Sequence, residues 1–193
     1  MKIVGVGCGP LLLTGQAEQI IRTARSLYGS KRAIDLVSRH IPEDCTVTVI
    51  TDFKALDGLP DDAVLLSTGD PMLAGLGYLR GEIVPGISSL QVAAARLRVP
   101  LDRIVPVIAH GKGHNQAIAQ TCDELARGRI VFLLPDPRFD LSLLYRAIRS
   151  TGSLFTVAVC EDLGYPEERI ATGSGETIPY PSGRLYSLMI GDF

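Results

Sequence analysis

The stretch Leu65-Leu66-Ser67-Thr68-Gly69-Asp70-Pro71-Met72 decides the fold. An apolar strand runs straight into Thr-Gly-Asp-Pro. The glycine lets backbone come close to a ligand or take a turn that a side chain forbids. Asp70 before Pro71 reads as an N-cap and the first residue of a helix, so Met72–Leu79 is expected to be helical. A strand end, bare backbone and a helix start together mark a small-molecule site. A second junction of this kind follows at Val84-Pro85-Gly86-Ile87-Ser88-Ser89.

Working outward, strands and helices alternate. Lys2–Val6 is a short apolar strand ending in Gly5-Val6-Gly7-Cys8-Gly9-Pro10. Thr14 caps a helix with Ala17, Ile20, Ile21 and Ala24 on one side. Arg25–Tyr28, Thr46–Ile50, Ala63–Ser67 and Glu82–Val84 read as strands, with a helix through Ile34, Val37 and Ile41 between the first two. Ser88, with Gln91 three residues on, has a capping-box pattern and opens a helix carrying Val92, Ala93 and Leu97. Ile104–Ala109 is a strand ending in His110-Gly111-Lys112-Gly113-His114. The pattern then restarts, with a helix from Asn115 to Ala126 and a strand over Arg129–Leu134. Asp140 caps a further helix, and strands follow at Thr156–Cys160, Glu168–Ala171 and Leu185–Ile190. This alternation is that of an α/β protein. The glycines at 111 and 113 suggest a hinge, which gives domains over residues 1–110 and 111–193.

Composition excludes several classes. The chain has 193 residues, 46% of them hydrophobic and 21% charged, so it can bury a core. The net charge of -2 and the absence of Trp give no case for nucleic acid. No apolar run reaches the roughly 18–20 residues of a membrane span. Met1-Lys2-Ile3-Val4-Gly5 reads as a strand rather than a signal peptide. Cys8, Cys45, Cys122 and Cys160 are widely spaced, with no CxxC, so reduced thiols in the cytoplasm are expected rather than disulfides or zinc.

The motifs carry two readings each. Gly5-x-Gly7-x-Gly9 invites a dinucleotide, but Pro10 stands where the third glycine is needed, and Arg22-Thr23-Ala24-Arg25 holds no acid to bind a ribose. Asp70 reads as a cap, with the functional reading in the backbone of Gly69 through Ala74. Ser88 reads as a cap, and Ser89 can point a hydroxyl at a ligand. His110 and His114 flank Lys112. The glycines between them argue against a helical metal pair, leaving a solvated turn, a cationic patch or a proton-transfer histidine. No Ser–His–Asp order, paired carboxylates or metal cluster stands out.

These junctions, in this order, resemble the tetrapyrrole methylase family, the class III S-adenosylmethionine-dependent methyltransferases. The family's first glycine run matches Gly5-Val6-Gly7-Cys8-Gly9, its Gly-Asp-Pro loop matches Gly69-Asp70-Pro71, and its Pro-Gly-Ile-Ser-Ser segment matches residues 85–89. Gly29-Ser30-Lys31-Arg32-Ala33, Ser88-Ser89-Leu90-Gln91, His110-Gly111-Lys112 and Glu161–Ile170 are similar to the branch that methylates carbon 5 of cobalt-precorrins. Cys8 departs from the usual proline, Lys112 from an arginine and Asp162 from an asparagine, and the loop Gly9–Thr14 is shortened.

The resemblance implies two α/β domains with an interdomain cleft for S-adenosylmethionine. It implies a cofactor held by Gly69, Asp70, Pro71, Met72, Leu73, Ala74, Ser88 and Ser89, with Leu134 and Cys160 from the second half. An acidic tetrapyrrole would meet Gly7, Lys31, Arg32, Arg80 and Lys112, and His110 would handle a ring proton. It also implies a homodimer and a separate partner methylating C15. Alternatives are another corrinoid methyltransferase, a uroporphyrinogen methyltransferase, a diphthine synthase, or a non-catalytic tetrapyrrole- or nucleotide-binding module.

Overall fold

The computed structural model describes residues 1–52, 56–111 and 113–193. The described strands form two five-stranded sheets. The first contains β1 (Lys2–Gly5), β2 (Ser26–Gly29), β3 (Thr46–Val49), β4 (Val64–Ser67) and β5 (Glu82–Val84), in the order β3-β2-β4-β1-β5. All of its pairings are parallel. The second contains β6 (Ile104–Ala109), β7 (Ile130–Pro135), β8 (Thr156–Glu161), β9 (Arg169–Ser174) and β10 (Tyr186–Gly191), in the order β6-β7-β10-β8-β9. There β6 and β7 are parallel, and β10 runs antiparallel to both β7 and β8. The helices are α1 (Gly15–Arg22), α2 (Lys31–Val37), α3 (Ser89–Leu97), α4 (His114–Ala126) and α5 (Leu141–Ser150).

Parallel strands need crossovers, and α1 and α2 supply the early ones. The Thr14 hydroxyl accepts from the Ala17 N–H at 3.2 Å, and Ala17 and Ile21, four apart, are buried. They pack with Val4, Val64 and Leu66 on one face of the first sheet. On the other face Ile3 and Leu65 pack with Leu56 and Leu79. Burial on both sides is why β1 and β4 read as continuous apolar runs rather than alternating ones. In the second sheet Val131, Leu133, Val157, Val159 and Leu188 pack with Ile118 and Leu125 of α4 and Leu144 and Ile148 of α5. Asp140 caps α5 as expected, accepting from the Leu143 N–H at 3.0 Å.

Three expectations change. The chain divides into compact units at Met1–Ser89 and Leu90–Phe193, not near residue 110. The reason is that β6 pairs along its whole length with β7, which places Ile104–Ala109 and the glycines after it inside the second unit. Met72–Leu79 is a chain of turns rather than a helix. Ala74 has φ +56°, and Gly75 and Gly77 weaken any helix there. Helix α4 begins at His114, one residue before Asn115, after Gly113 with no side-chain cap.

Candidate active site

In the first unit β1, β4 and β5 run parallel, so the loops that follow them leave one edge of the sheet. Backbone bonds weld these loops. Gly7 and Gly69 exchange two bonds, Gly7 N–H to Gly69 O at 3.2 Å and Gly69 N–H to Gly7 O at 2.8 Å. The Cys8 N–H donates to Ile87 O at 2.9 Å, joining the first loop to the third. A proline at position 8 could not make that bond, so the departure at Cys8 adds a tie. The Asp70 carboxylate closes the set, accepting from Met72 N–H at 2.7 Å with one oxygen and from Gly86 N–H at 3.0 Å with the other. Asp70 therefore caps no helix. It holds its own turn and the third loop together.

The weld requires glycine. A Cβ on Gly86 would stand 2.1 Å from Gly69 O and 2.8 Å from Gly5 C. A Cβ on Gly7 would stand 2.6 Å from Leu12 O, and Gly7 itself has φ +82°. Gly69 differs: it has φ +70°, yet a Cβ there would meet only Ser88 Cα, at 3.9 Å. Open space therefore lies beside Gly69. Its own N–H and C=O, expected to face a ligand, are engaged with Gly7. Beyond them Pro71 is buried, Met72 and Ala74 are exposed, and Leu73 is half-buried. Ser88 is buried and Ser89 half-buried at the start of α3.

The expected substrate cations separate. Arg32, in the first turn of α2 after the β2 end, donates from its guanidinium to Cys8 O at 2.7 Å. It braces the first loop. Lys31 beside it pairs with Asp35 at 3.0 Å and is exposed. Arg80 precedes β5 and lies at the edge where the parallel strands begin, beside Gly81, whose Cβ would meet Met1 O at 2.9 Å. It is at the opposite edge from the welded loops, so it does not join them. Lys112 lies outside the described residues. Leu11, at the tip of the shortened loop, is 88% exposed with φ +65°, an apolar side chain held out on strained backbone.

In the second unit the ends of β7 and β8 flank β10. Leu188 pairs with Leu133 on one side and Val159 on the other. Leu134 and Cys160 are therefore one residue further along on either flank. Leu134 is half-buried; Cys160 is 1% exposed, and burial pushes its thiol up to about 12. Glu161, next in β8, accepts from Ser182 N–H at 2.6 Å, Gly183 N–H at 2.7 Å and the Arg169 guanidinium. Burial alone would raise its pKa, but the donors from Gly183, Ser182 and Arg169 outweigh that and hold it below the ordinary value.

His110 is exposed after β6. Sequence reasoning missed its neighbour across the sheet, Asp136. The Asp136 carboxylate accepts from Gly111 N–H at 2.7 Å and Arg138 N–H at 2.8 Å, and lies 3.1 Å from His114 Nε2. The Gly111 and Arg138 amides lead in holding the carboxyl far below its ordinary range, with His114 adding to them. The signal was present: Asp136-Pro137 follows an apolar strand just as Asp70-Pro71 does.

A parallel α/β sheet with three welded glycine loops at its strand ends, followed in the chain by a second, mixed sheet, defines a small-molecule-binding α/β protein. The chain belongs to the tetrapyrrole (corrin/porphyrin) methylase family, whose profile matches residues 2–179, and the protein is a methyltransferase. A relative from Methanocaldococcus jannaschii, described as a probable cobalt-precorrin-7 C(5)-methyltransferase, is 35% identical over 89% of this chain and 88% of its own. The crystal structure of the cobalamin-biosynthesis precorrin-6Y methylase of Archaeoglobus fulgidus superposes with a TM-score of 0.74, at 28% identity over 100% of this chain and 97% of that one. A uroporphyrin-III C-methyltransferase from Thermus thermophilus, complexed with S-adenosylhomocysteine, shares the fold with a TM-score of 0.68, at 19% identity over 99% of this chain and 96% of that one.

Proposed function

We propose that the protein transfers a methyl group from S-adenosylmethionine to carbon 5 of cobalt-precorrin-7 in cobalamin biosynthesis. The observation that carries the cofactor reading is the weld of Gly7, Gly69, Asp70 and Gly86. It fixes three loops while leaving open space beside Gly69, bordered by Ser88. A Cβ at Gly69 would project into that open space, whose one neighbour within 4 Å is Ser88 Cα, so the bare glycine suits close approach of an amino-acid and nucleoside ligand. Gly69–Ala74, Ser88 and Ser89 would hold the cofactor. The choice of substrate rests on the likeness to the M. jannaschii relative.

When bound, S-adenosylmethionine supplies a methyl group already activated as a sulfonium electrophile. The chain's task is alignment, which in favourable models is worth roughly 7–11 kcal/mol. The welded loops suit that task because their backbone has few alternative conformations. Leu11 and Met72, exposed on two of these loops, offer apolar surface to a flat macrocycle, and Lys31 a cation for its acetate and propionate groups. Arg32 acts indirectly, by bracing the Cys8 carbonyl. His110 would accept the proton that leaves the ring carbon after methylation. The same reading carries a cytoplasmic homodimer and a separate C15-methylating partner. No described helix is long and apolar enough to cross a membrane.

The test is methyl transfer from labelled S-adenosylmethionine to cobalt-precorrin-7, with the product carbon identified by NMR. A methyl group at C5 is expected. Methylation elsewhere would reassign the substrate. Absence of both transfer and calorimetric heat at millimolar cofactor would overturn the reading.

A further inference from the structure

Asp136 repeats in the second unit what Asp70 does in the first. Each follows a strand with a parallel neighbour and precedes a proline, Asp70-Pro71 after β4 and Asp136-Pro137 after β7. Each uses one carboxylate oxygen for the N–H two residues on, Met72 at 2.7 Å and Arg138 at 2.8 Å. Each gives the other oxygen to a glycine N–H in a different loop at the strand ends of its sheet, Gly86 at 3.0 Å and Gly111 at 2.7 Å. In the first unit the loops so joined are those proposed to hold the cofactor.

The second device holds a turn that packing does not. Gly111 and Gly113 have φ +79° and +128°, and a Cβ at either would meet nothing within 4 Å. The turn's described residues, His110, Gly111 and Gly113, are all exposed, and two glycines make its order entropically costly. Asp136 nevertheless grips it at three points: its N–H donates to Ala109 O at 3.1 Å, and its carboxylate takes Gly111 N–H at 2.7 Å and faces His114 Nε2 at 3.1 Å. The His114 ring is set by an edge contact on Phe139, with centroids 5.3 Å apart. Among the described residues the other charged or titratable neighbours are the Arg138 guanidinium, 3.6 Å from the carboxylate, and the Tyr186 hydroxyl, whose pKa Asp136 helps to raise.

We infer that Asp136 and His114 are positioning residues that hold the His110–Gly111 turn as a corrinoid-contacting edge of the second unit. The inference rests on the methyltransferase reading above. A carboxylate that only capped α4 would matter to stability and not to the substrate.

The test compares Asp136→Asn, His114→Leu and His114→Gln in the full chain. Asp136→Asn and His114→Leu are expected to raise KM for cobalt-precorrin-7 about tenfold, with kcat changed less and the calorimetric Kd for S-adenosylmethionine unchanged. His114→Gln keeps an amide N–H for Asp136 and is expected to restore most of the loss. Proton exchange at the Gly111 amide should quicken in Asp136→Asn. A corrinoid KM equal to the parent's in both Asp136→Asn and His114→Leu overturns the inference while leaving the methyltransferase reading intact. Should the parent protein transfer no methyl group, that reading falls by itself. Absorbance titration with cobyrinic acid then decides the positioning role: weaker binding in the variants supports it, and equal or absent binding overturns it.

Discussion

Asp70 and Glu161 show how one carboxylate can hold a loop that side-chain packing leaves alone. Glu161 is nearly fully buried, and its donors hold its pKa below the ordinary carboxylate value. A depressed carboxylate contributes stability that is complete above its unfolded pKa and is lost as pH falls through its folded value. Unfolding free energy is therefore expected to hold steady down to about pH 4.5 and to drop below it. Glu161→Gln should lower stability at neutral pH and flatten the acid limb, as read by urea midpoints from pH 7 to pH 3. At Gly86 the limit is steric. Gly86→Ala puts a methyl 2.1 Å from Gly69 O, and is expected to cost roughly 2–3 kcal/mol and to abolish cofactor heat in calorimetry. The residue types at these points were legible. Gly69 and Gly86 marked the loops that follow β4 and β5, because glycine takes the turns and close approaches that side chains forbid. The second bond of Asp70 was not legible, since it joins residues sixteen apart through a fold that local spacing does not encode. Asp162 adds a smaller lesson: its φ of +48° is a conformation that asparagine and aspartate tolerate better than other side chains, which accounts for the short polar residue there.

Among the elements, the strands were read best. Glu82–Val84 and Ile104–Ala109 match their expected bounds: each is a short, mostly apolar run that pairs with one parallel neighbour, with Pro85-Gly86 after the first and the Gly111 turn after the second. Helices with a side-chain cap were also legible: Thr14 and Asp140 both cap as expected. The expected helix over Met72–Leu79 failed for a physical reason. Asp70 and Pro71 make a good helix start in isolation, but Asp70 is bound sideways to Gly86, and Gly75 sits where a Cβ would be 2.7 Å from the Ser67 hydroxyl. Tertiary contact overrode the local signal. The turns that replace the helix leave Met72 and Ala74 exposed on an irregular rim, where a helix would have repeated one face.

At the scale of the whole molecule, two sheets of different construction follow one another. The first is wholly parallel, and the second places an antiparallel strand at its centre. The alternating pattern made the α/β class legible, and the family resemblance covered nearly the whole length. The boundary was less so: the glycines at 111 and 113 mark a turn within the second unit, while Pro85-Gly86-Ile87-Ser88-Ser89, which ends at the division, reads as a ligand loop rather than a linker. Strand β10 pairs with β7 on one side and β8 on the other, and it is the last strand in sequence. A chain shortened to residues 1–184 is expected to lose the cooperative thermal transition of the second unit, as differential scanning calorimetry would read it. A longer cooperative transition surviving that cut would mean that β6–β7 and β8–β9 hold together without their keystone.

That central strand sets a timetable for synthesis. The five strands of the first sheet are complete once Val84 has emerged from the ribosome, and that unit can begin to fold while the rest is still being made. The second unit must wait with two separated strand pairs, each showing an open edge to any neighbouring chain, until residues 186–191 are released and close the gap. Its hazard is therefore concentrated in the interval before β10 emerges, when a chaperone would meet a finished first unit and an unfinished second.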